Sequence, residues 1–378
     1  AGSSDNTFDY FLNEGTKAEN YEITAAYGTL TVEPVSEAVI VTIKENSGRE
    51  KYDGTQKSVT GYTWTATNEL YSEDDFVFTG SAEVTGTDAG TYDMELSSSD
   101  FANISDNFAD VSFVIEDGTL VIEKRTVVLT SGDGTKTYDG TALVNEEVTV
   151  TGDGFAEGEG AVYNVTGSQR IVGGSENTFT YSLNEGTSAD NYDIITIFGS
   201  LSVSNRDAKY EITVTANSGE FKYDGSQQSV EGLEQTNFEI DGNEYRISGL
   251  QASAGATDAG TYPVNITGTP VVTDAEGNDV SEQFAVSLKS GELKITKRQI
   301  TLTSGDGSKE YDGSALTNDE VTVGGDGFAE GEGATFEVTG SQRIAGGSEN
   351  TFTYSLNEGT SADNYDIITI FGSLSVSN

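Results

Sequence analysis

The chain has no cysteine and no histidine, and only one methionine, one tryptophan and three prolines among its 378 residues. Without cysteine there is no disulfide and no thiolate nucleophile. Without histidine there is no imidazole base, and the common zinc, iron and copper sites lose their usual donors. Basic residues are also scarce: 19 Lys and Arg stand against 63 Asp and Glu, a net charge of −44 spread along the whole chain. No face can be basic enough to track a phosphate backbone, so no nucleic acid is expected as a partner. Divalent cations and basic molecules would be attracted by the same field. No apolar run reaches membrane-spanning length, so no direct membrane insertion is expected. Cysteine absence does not fix the compartment, because secreted proteins without disulfides exist.

What the chain does have is repetition. Tyr-Asp-Gly followed by Ser or Thr occurs four times, at Tyr52-Asp53-Gly54, Tyr138-Asp139-Gly140, Tyr223-Asp224-Gly225 and Tyr311-Asp312-Gly313, at a period of about 85 residues. That is the size of one small sandwich domain. Gly, Ser, Thr, Asn and Asp are plentiful, and the apolar runs are dominated by β-branched and aromatic residues, which predicts an all-β chain. Two repeat types alternate: B at 35–124 and 206–297, and A at 125–205 and 298–378. The two A copies are identical over 173–205 and 346–378. Residues 1–34 match the second half of an A repeat, so the first repeat is expected to be incomplete, with its Tyr-Asp-Gly half lying upstream.

Alternation within the runs predicts half-buried strands. In the opening strand of A, Val127 and Leu129 share one face; in NTFTYSLNEG, Phe179, Tyr181 and Leu183 do so, and Leu201 and Val203 point inward in the closing strand. B carries TDAGTY twice, from Thr87 to Tyr92 and from Thr257 to Tyr262. Asp88 with Tyr92, and Asp258 with Tyr262, fit the tyrosine corner of immunoglobulin-like sandwiches, in which the hydroxyl returns to nearby backbone. The B-to-A junctions, Lys124-Arg125 and Lys297-Arg298, run strand into strand with no Gly/Ser linker. Close-coupled neighbours and a stiff, elongated rod are expected, with these four cations meeting acidic loops of the adjoining repeat.

The Tyr-Asp-Gly motif is itself read as a structural turn, since Asp-Gly suits a tight hairpin with positive φ and Tyr can bury its ring. The acidic loop GDGFAEGEGA offers Asp153, Glu157 and Glu159, with Asp326, Glu330 and Glu332 in its second copy. These are hard oxygen donors of the kind calcium takes from flexible loops, although they fit no standard calcium loop. A second acidic turn, SADNYD, holds Asp190, Asn191 and Asp193, and again Asp363, Asn364 and Asp366. Paired carboxylates are the remaining route to catalysis, but among 63 acids any two are a weak signal, and short loops between strands offer no deep pocket. The chain is therefore read as not an enzyme.

KYDGT at 51–55, TYDGT at 137–141, KYDGS at 222–226 and EYDGS at 310–314 each precede a Gly-(Thr/Ser/Glu)-Leu-x-(Val/Ile) strand. In this the chain resembles the MBG/YDG-type immunoglobulin-like repeats of large bacterial surface adhesins, over nearly its whole length. The resemblance implies an extracellular position on a bacterial cell surface and a role as a stalk that carries a distal binding region. Two alternatives stand beside it. The repeats themselves would bind mucin-type glycans or a host surface protein through loop aromatics such as Phe155, Phe328 or Trp64, or chains would assemble into a fibre by strand addition at the incomplete first repeat. Lys-Asn isopeptide or Thr-Gln ester crosslinks occur in surface domains of this class, for which Lys44, Gln169 and Gln342 are conceivable members.

Overall fold

The computed structural model describes residues 1–378. It contains β-strands and six single-turn 3-10 segments but no α-helix, and the strands form a tandem of immunoglobulin-like β-sandwiches. The contacts divide it into two compact units. The first comprises Ala1–Gly134, Val144–Ser168 and Gly174–Leu201; the second comprises Thr135–Leu143, Gln169–Gly173 and Ser202–Asn378.

In the first unit, Val39–Glu45 runs parallel to Val111–Glu116 and antiparallel to Tyr62–Ala66. Its alternation places Val39, Val41 and Ile43 in the core, as a strand with one buried face requires. The facing layer sets Thr119–Glu123 between Gly48–Lys51 and Gly90–Asp93, contributing Leu120 and Ile122. Aromatic rings fill the space between: Phe101 stacks on Phe78 at 4.8 Å and on Phe113 at 5.6 Å. Glu45 is buried in this core and accepts the backbone N–H groups of Leu96 at 2.7 Å and Gly118 at 2.6 Å. The matching position in the second B repeat is Ala216, also buried, so the two B cores differ in polarity.

Further along the same unit, Arg125–Ser131 lies between Val148–Gly152 and Tyr192–Ile197. Val127 and Leu129 are fully buried there, and Ala161–Val165 pairs with Phe179–Leu183. Residues 1–34 form one antiparallel pair, Gly2–Asn6 with Gly28–Val32. Leu30 is 54% and Val32 68% exposed, whereas Leu374 and Val376, at the matching positions of the last repeat, are 0% and 3% exposed. The same side chains are core in one place and surface in the other, because the pair at 1–34 has no second sheet against it.

In the second unit, Tyr210–Thr215 runs parallel to Phe284–Lys289. The other layer is built on a long hairpin, Asn243–Ala256 with Gly260–Asp274, which carries Gln228–Glu231 and Asn237–Ile240 on one side and Gly291–Thr296 on the other. The corresponding stretch of the first B repeat is broken into short strands, so the two B repeats are less alike in structure than in motif. Arg298–Ser304 lies between Val321–Gly325 and Tyr365–Ile370, and Gly372–Ser377 lies between Gly307–Glu310 and Gly346–Asn350.

Candidate functional site at the repeat joints

Each Tyr-Asp-Gly is a side-chain-braced turn. Asp53 accepts the N–H of Thr55 at 2.9 Å and its hydroxyl at 2.6 Å, and Lys57 donates to its second oxygen. The Lys57 hydrogen bond, followed by those from Thr55, holds the Asp53 carboxyl far below the usual carboxylate range. Asp139 with Thr141, Asp224 with Ser226 and Asp312 with Ser314 repeat the arrangement. The glycines adopt φ of 81–82°, a left-handed conformation that costs glycine least. The turn is not the tight hairpin expected from the sequence. Gly48–Lys51 pairs with Thr119–Glu123 whereas Lys57–Thr60 pairs with Glu83–Gly86, so the motif passes the chain from one ladder to another.

What the turn positions is its tyrosine. Tyr52 is buried, its ring edge-on to Tyr192 at 5.7 Å, and its hydroxyl donates to Glu159, 107 residues ahead. The hydroxyl of Tyr192 donates to the other oxygen of Glu159 at 2.7 Å and accepts the Ala156 N–H at 3.0 Å. One carboxylate thus joins a tyrosine from each side of the joint. Burial, with Glu159 adding to it, pushes the Tyr192 phenol up to about 12, and Tyr52 is raised for the same reasons. In the second copy Tyr223 donates to Glu332, Tyr365 donates to its other oxygen at 2.8 Å, and the rings meet edge-on at 5.6 Å.

Two further contacts close this joint. Lys51 pairs with Asp153 at 2.7 Å, as Lys222 does with Asp326 at 2.7 Å. The Tyr92 hydroxyl donates to the Asp88 carbonyl at 2.9 Å, bracing a segment whose Asp88 carboxylate accepts from Asn191 at 2.9 Å. The Asn191 carbonyl in turn accepts from the N–H of Ala89 at 2.8 Å. Tyr262, Asp258, Ala259 and Asn364 form the same set. Arg125 binds main chain on both sides of the joint, donating to Gly154 O at 2.8 Å, Tyr52 O at 3.3 Å and Asp153 O. Arg298 does likewise with Gly327 at 2.7 Å, Tyr223 at 3.2 Å and Asp326.

The A-to-B joint has different chemistry. Tyr138 is 1% exposed and packs in one cluster with Tyr245, Val280 and Phe284, its hydroxyl 3.5 Å from that of Tyr245. Arg206 donates to Tyr138 O at 3.0 Å and lies 3.9 Å over the Tyr210 ring. Asn243 donates to Asp139 O at 3.2 Å, Gln283 to Asn205 at 2.6 Å, and Arg170 pairs with Glu276 at 2.6 Å. A Cβ on Gly140 would meet the Tyr245 hydroxyl at 2.4 Å, so this approach excludes any side chain there. Tyr311, the fourth copy, is 58% exposed.

Several expectations are corrected. No group of three or more acidic side chains is placed to hold a metal ion. Asp153, Asp326, Glu159 and Glu332 are committed to lysines, backbone and tyrosines, while Glu157 and Glu330 point to solvent. The acidic loop is a socket for tyrosine, in which phenol hydroxyls occupy both oxygens of Glu159 and of Glu332. Phe155 and Phe328 are not free loop aromatics: they pack edge-on to Tyr192 and Tyr365, each at 5.1 Å, and Trp64 packs on Phe76 at 5.4 Å. Of the four junction cations, Lys297 pairs with Asp366 of the adjoining repeat at 4.0 Å, whereas the arginines grip carbonyls instead of carboxylates and Lys124 is exposed without an ion pair. Lys51, Lys222, Arg206 and Tyr245 also belong to the joints, beyond the residues that the sequence singles out. For the lysines a signal was present: Lys precedes Tyr-Asp-Gly in B, where A has Thr137 or Glu310.

The MBG domain family model matches residues 39–124, which contain the first Tyr-Asp-Gly turn and the first TDAGTY. No curated protein matches. Solved structures similar to the chain include the I9–I11 tandem of titin, at 9% identity over 68% of this chain and 98% of that one, with a TM-score of 0.18. The extracellular domain of protocadherin γB4 is similar at 8% identity over 91% of this chain and 66% of that one, with a TM-score of 0.24. Drosophila N-cadherin EC1-4 is similar at 7% identity over 89% and 100%, with a TM-score of 0.16.

Proposed function

We propose that this chain, with an MBG domain at 39–124, is a load-bearing segment of an extracellular bacterial stalk, made of immunoglobulin-like repeats at 35–124, 125–205, 206–297 and 298–378, with 1–34 the second half of another A repeat. The observation that carries the reading is the seating of three successive Tyr-Asp-Gly tyrosines, Tyr52, Tyr138 and Tyr223, each 1–4% exposed, in sockets of the following repeat. Burial of a large apolar side chain is worth roughly 1.5–3 kcal/mol. The half-exposed Lys51–Asp153 and Lys222–Asp326 pairs add about 0–1 kcal/mol each. Ring burial therefore dominates, and the joint survives salt that would screen its ion pairs. Such a joint resists bending in a way that a Gly/Ser linker does not. The high negative charge keeps neighbouring stalks apart.

The test is small-angle scattering of the chain beside Tyr52→Ala and Tyr223→Ala. The stalk reading expects the variants to stay folded and to gain flexibility at the altered joint. Unchanged scattering in both would refute it.

A second reading, fibre formation by strand addition, draws on the exposed Leu30 and Val32 of residues 1–34, side chains of core type on an unpaired layer. Sedimentation at rising concentration tests it, and a monomer throughout removes it. Glycan binding through Phe155, Phe328 or Trp64 has no such support, because those rings are packed.

A further inference from the structure

The two joint types carry a selection rule for which repeat follows which. Three positions differ between the faces that B and A turn forward. The residue before the tyrosine is Lys51 or Lys222 in B, and Thr137 or Glu310 in A. Two residues before the Gly that opens the paired strand, B has Asp88 or Asp258, and A has Ile171 or Ile344. The strand registers fix this equivalence, since Gly90 faces Ile122 and Gly346 faces Val376, at matching places in the closing strands. One residue earlier B has Thr87 or Thr257, where A has Arg170 or Arg343.

The receiving faces are complementary. An A repeat receives with Asp153 for the lysine, Asn191 for the Asp88 carboxylate and Glu159 for the tyrosine hydroxyl. The 206–297 repeat receives with Glu276 for Arg170 and with Tyr245, Val280 and Phe284 for the Tyr138 ring. Ile171 lines a common crevice with Tyr138 and the Asp279–Gln283 turn.

The Tyr311 face is an exposed copy of the Tyr138 face. Tyr311 is 58% exposed where Tyr138 is 1%, and Ile344 is 68% exposed where Ile171 is 38%. Arg343, the counterpart of Arg170, makes only a 3.4 Å contact with Gly313 O. We propose that this face is a selective docking surface for a repeat of the 206–297 kind, and that it rejects a repeat of the A kind. In the first case Ile344 meets a turn like Asp279–Gln283, whose apolar member is Val280, and Arg343 meets a carboxylate in the place of Glu276. In the second, Glu310 faces the aspartate that takes Lys51 in the B-to-A joint, a like-charge contact, and Ile344 is set against the amide that binds Asp88. Attraction and repulsion act together, which is how closely related partners are told apart.

The inference rests on the joint reading of the stalk, and its test separates the two. Three chains are acetylated at tyrosine hydroxyls with N-acetylimidazole and read by peptide mass: the chain itself, the chain with a copy of 206–297 after Asn378, and the chain with a copy of 125–205 there. Tyr311 is expected to react in the first, to be protected at least ~10-fold in the second, a difference of about 1.4 kcal/mol, and to react as before in the third. Equal reactivity in the second and third overturns the selection rule. If Tyr52 and Tyr223 react as fast as Tyr311 in the unmodified chain, the stalk joints themselves fail. Ile171→Asp in the unmodified chain supplies an arm independent of whether an added copy folds. It is expected to make Tyr138 reactive while Tyr52 stays protected, and an unchanged Tyr138 counts against the rule.

Discussion

Tyr52 and Tyr192, 140 positions apart in the sequence, meet edge-on at 5.7 Å with their hydroxyls on opposite oxygens of one carboxylate, Glu159. Two neutral donors on a single anion satisfy it without a cation. The same arrangement recurs at Tyr223, Glu332 and Tyr365.

Ring and hydroxyl of Tyr52 make separable contributions. Tyr52→Phe removes one hydrogen bond to the Glu159 carboxylate and is expected to cost about 1.5–3 kcal/mol; Tyr52→Ala also empties the socket and is expected to cost more, about 3–5 kcal/mol. Denaturant unfolding of the two variants measures both. Equal losses would mean that the ring contributes nothing beyond its hydroxyl.

Glu332→Gln keeps the shape of the side chain but replaces one acceptor oxygen with a donor. Tyr223 or Tyr365 then loses its acceptor in a part-buried site, and a loss of about 1–3 kcal/mol is expected. Thermal unfolding gives the value, and a variant as stable as the parent would show that the carboxylate is dispensable.

Alkaline titration has a defined sign. The folded state raises the Tyr192 and Tyr365 phenols from 10.0 to about 12, because burial, reinforced by Glu159 and Glu332, disfavours the phenolate. The unfolded chain therefore loses these protons first as pH rises. The stabilisation is fully present below pH 10 and is lost as pH climbs through about 12. Tyrosinate absorbance followed with circular dichroism is expected to show these phenols ionising only as the joints open.

Chelation is expected to leave the melting temperature unchanged, since Asp153 and Glu159 already have protein partners. A calcium-dependent rise of several degrees would mean that the acidic loop rearranges to bind the ion.

Val127 and Leu129 alternate with polar neighbours, and a strand with one buried face is the only way to satisfy that pattern. Asp88 and Tyr92 are four residues apart, so the hydroxyl-to-carbonyl bond between them is local geometry. Glu159 was legible only as an acid in a glycine-rich loop. A carboxylate accepts equally from calcium, lysine or phenol, and the donor that reaches it comes from Tyr52, 107 residues away. Tyr245 gave no signal at all, because an aromatic in a strand reads as ordinary core.

The sequence by itself determined the period, the all-β character and the alternation of two repeat types, since these follow from local pattern and from counting. Only the tertiary structure decided that the Tyr-Asp-Gly tyrosines and the acidic loops are two halves of one joint. Complementarity between side chains about a hundred residues apart depends on which surfaces the folded chain brings into contact, and neither motif carries its partner's address.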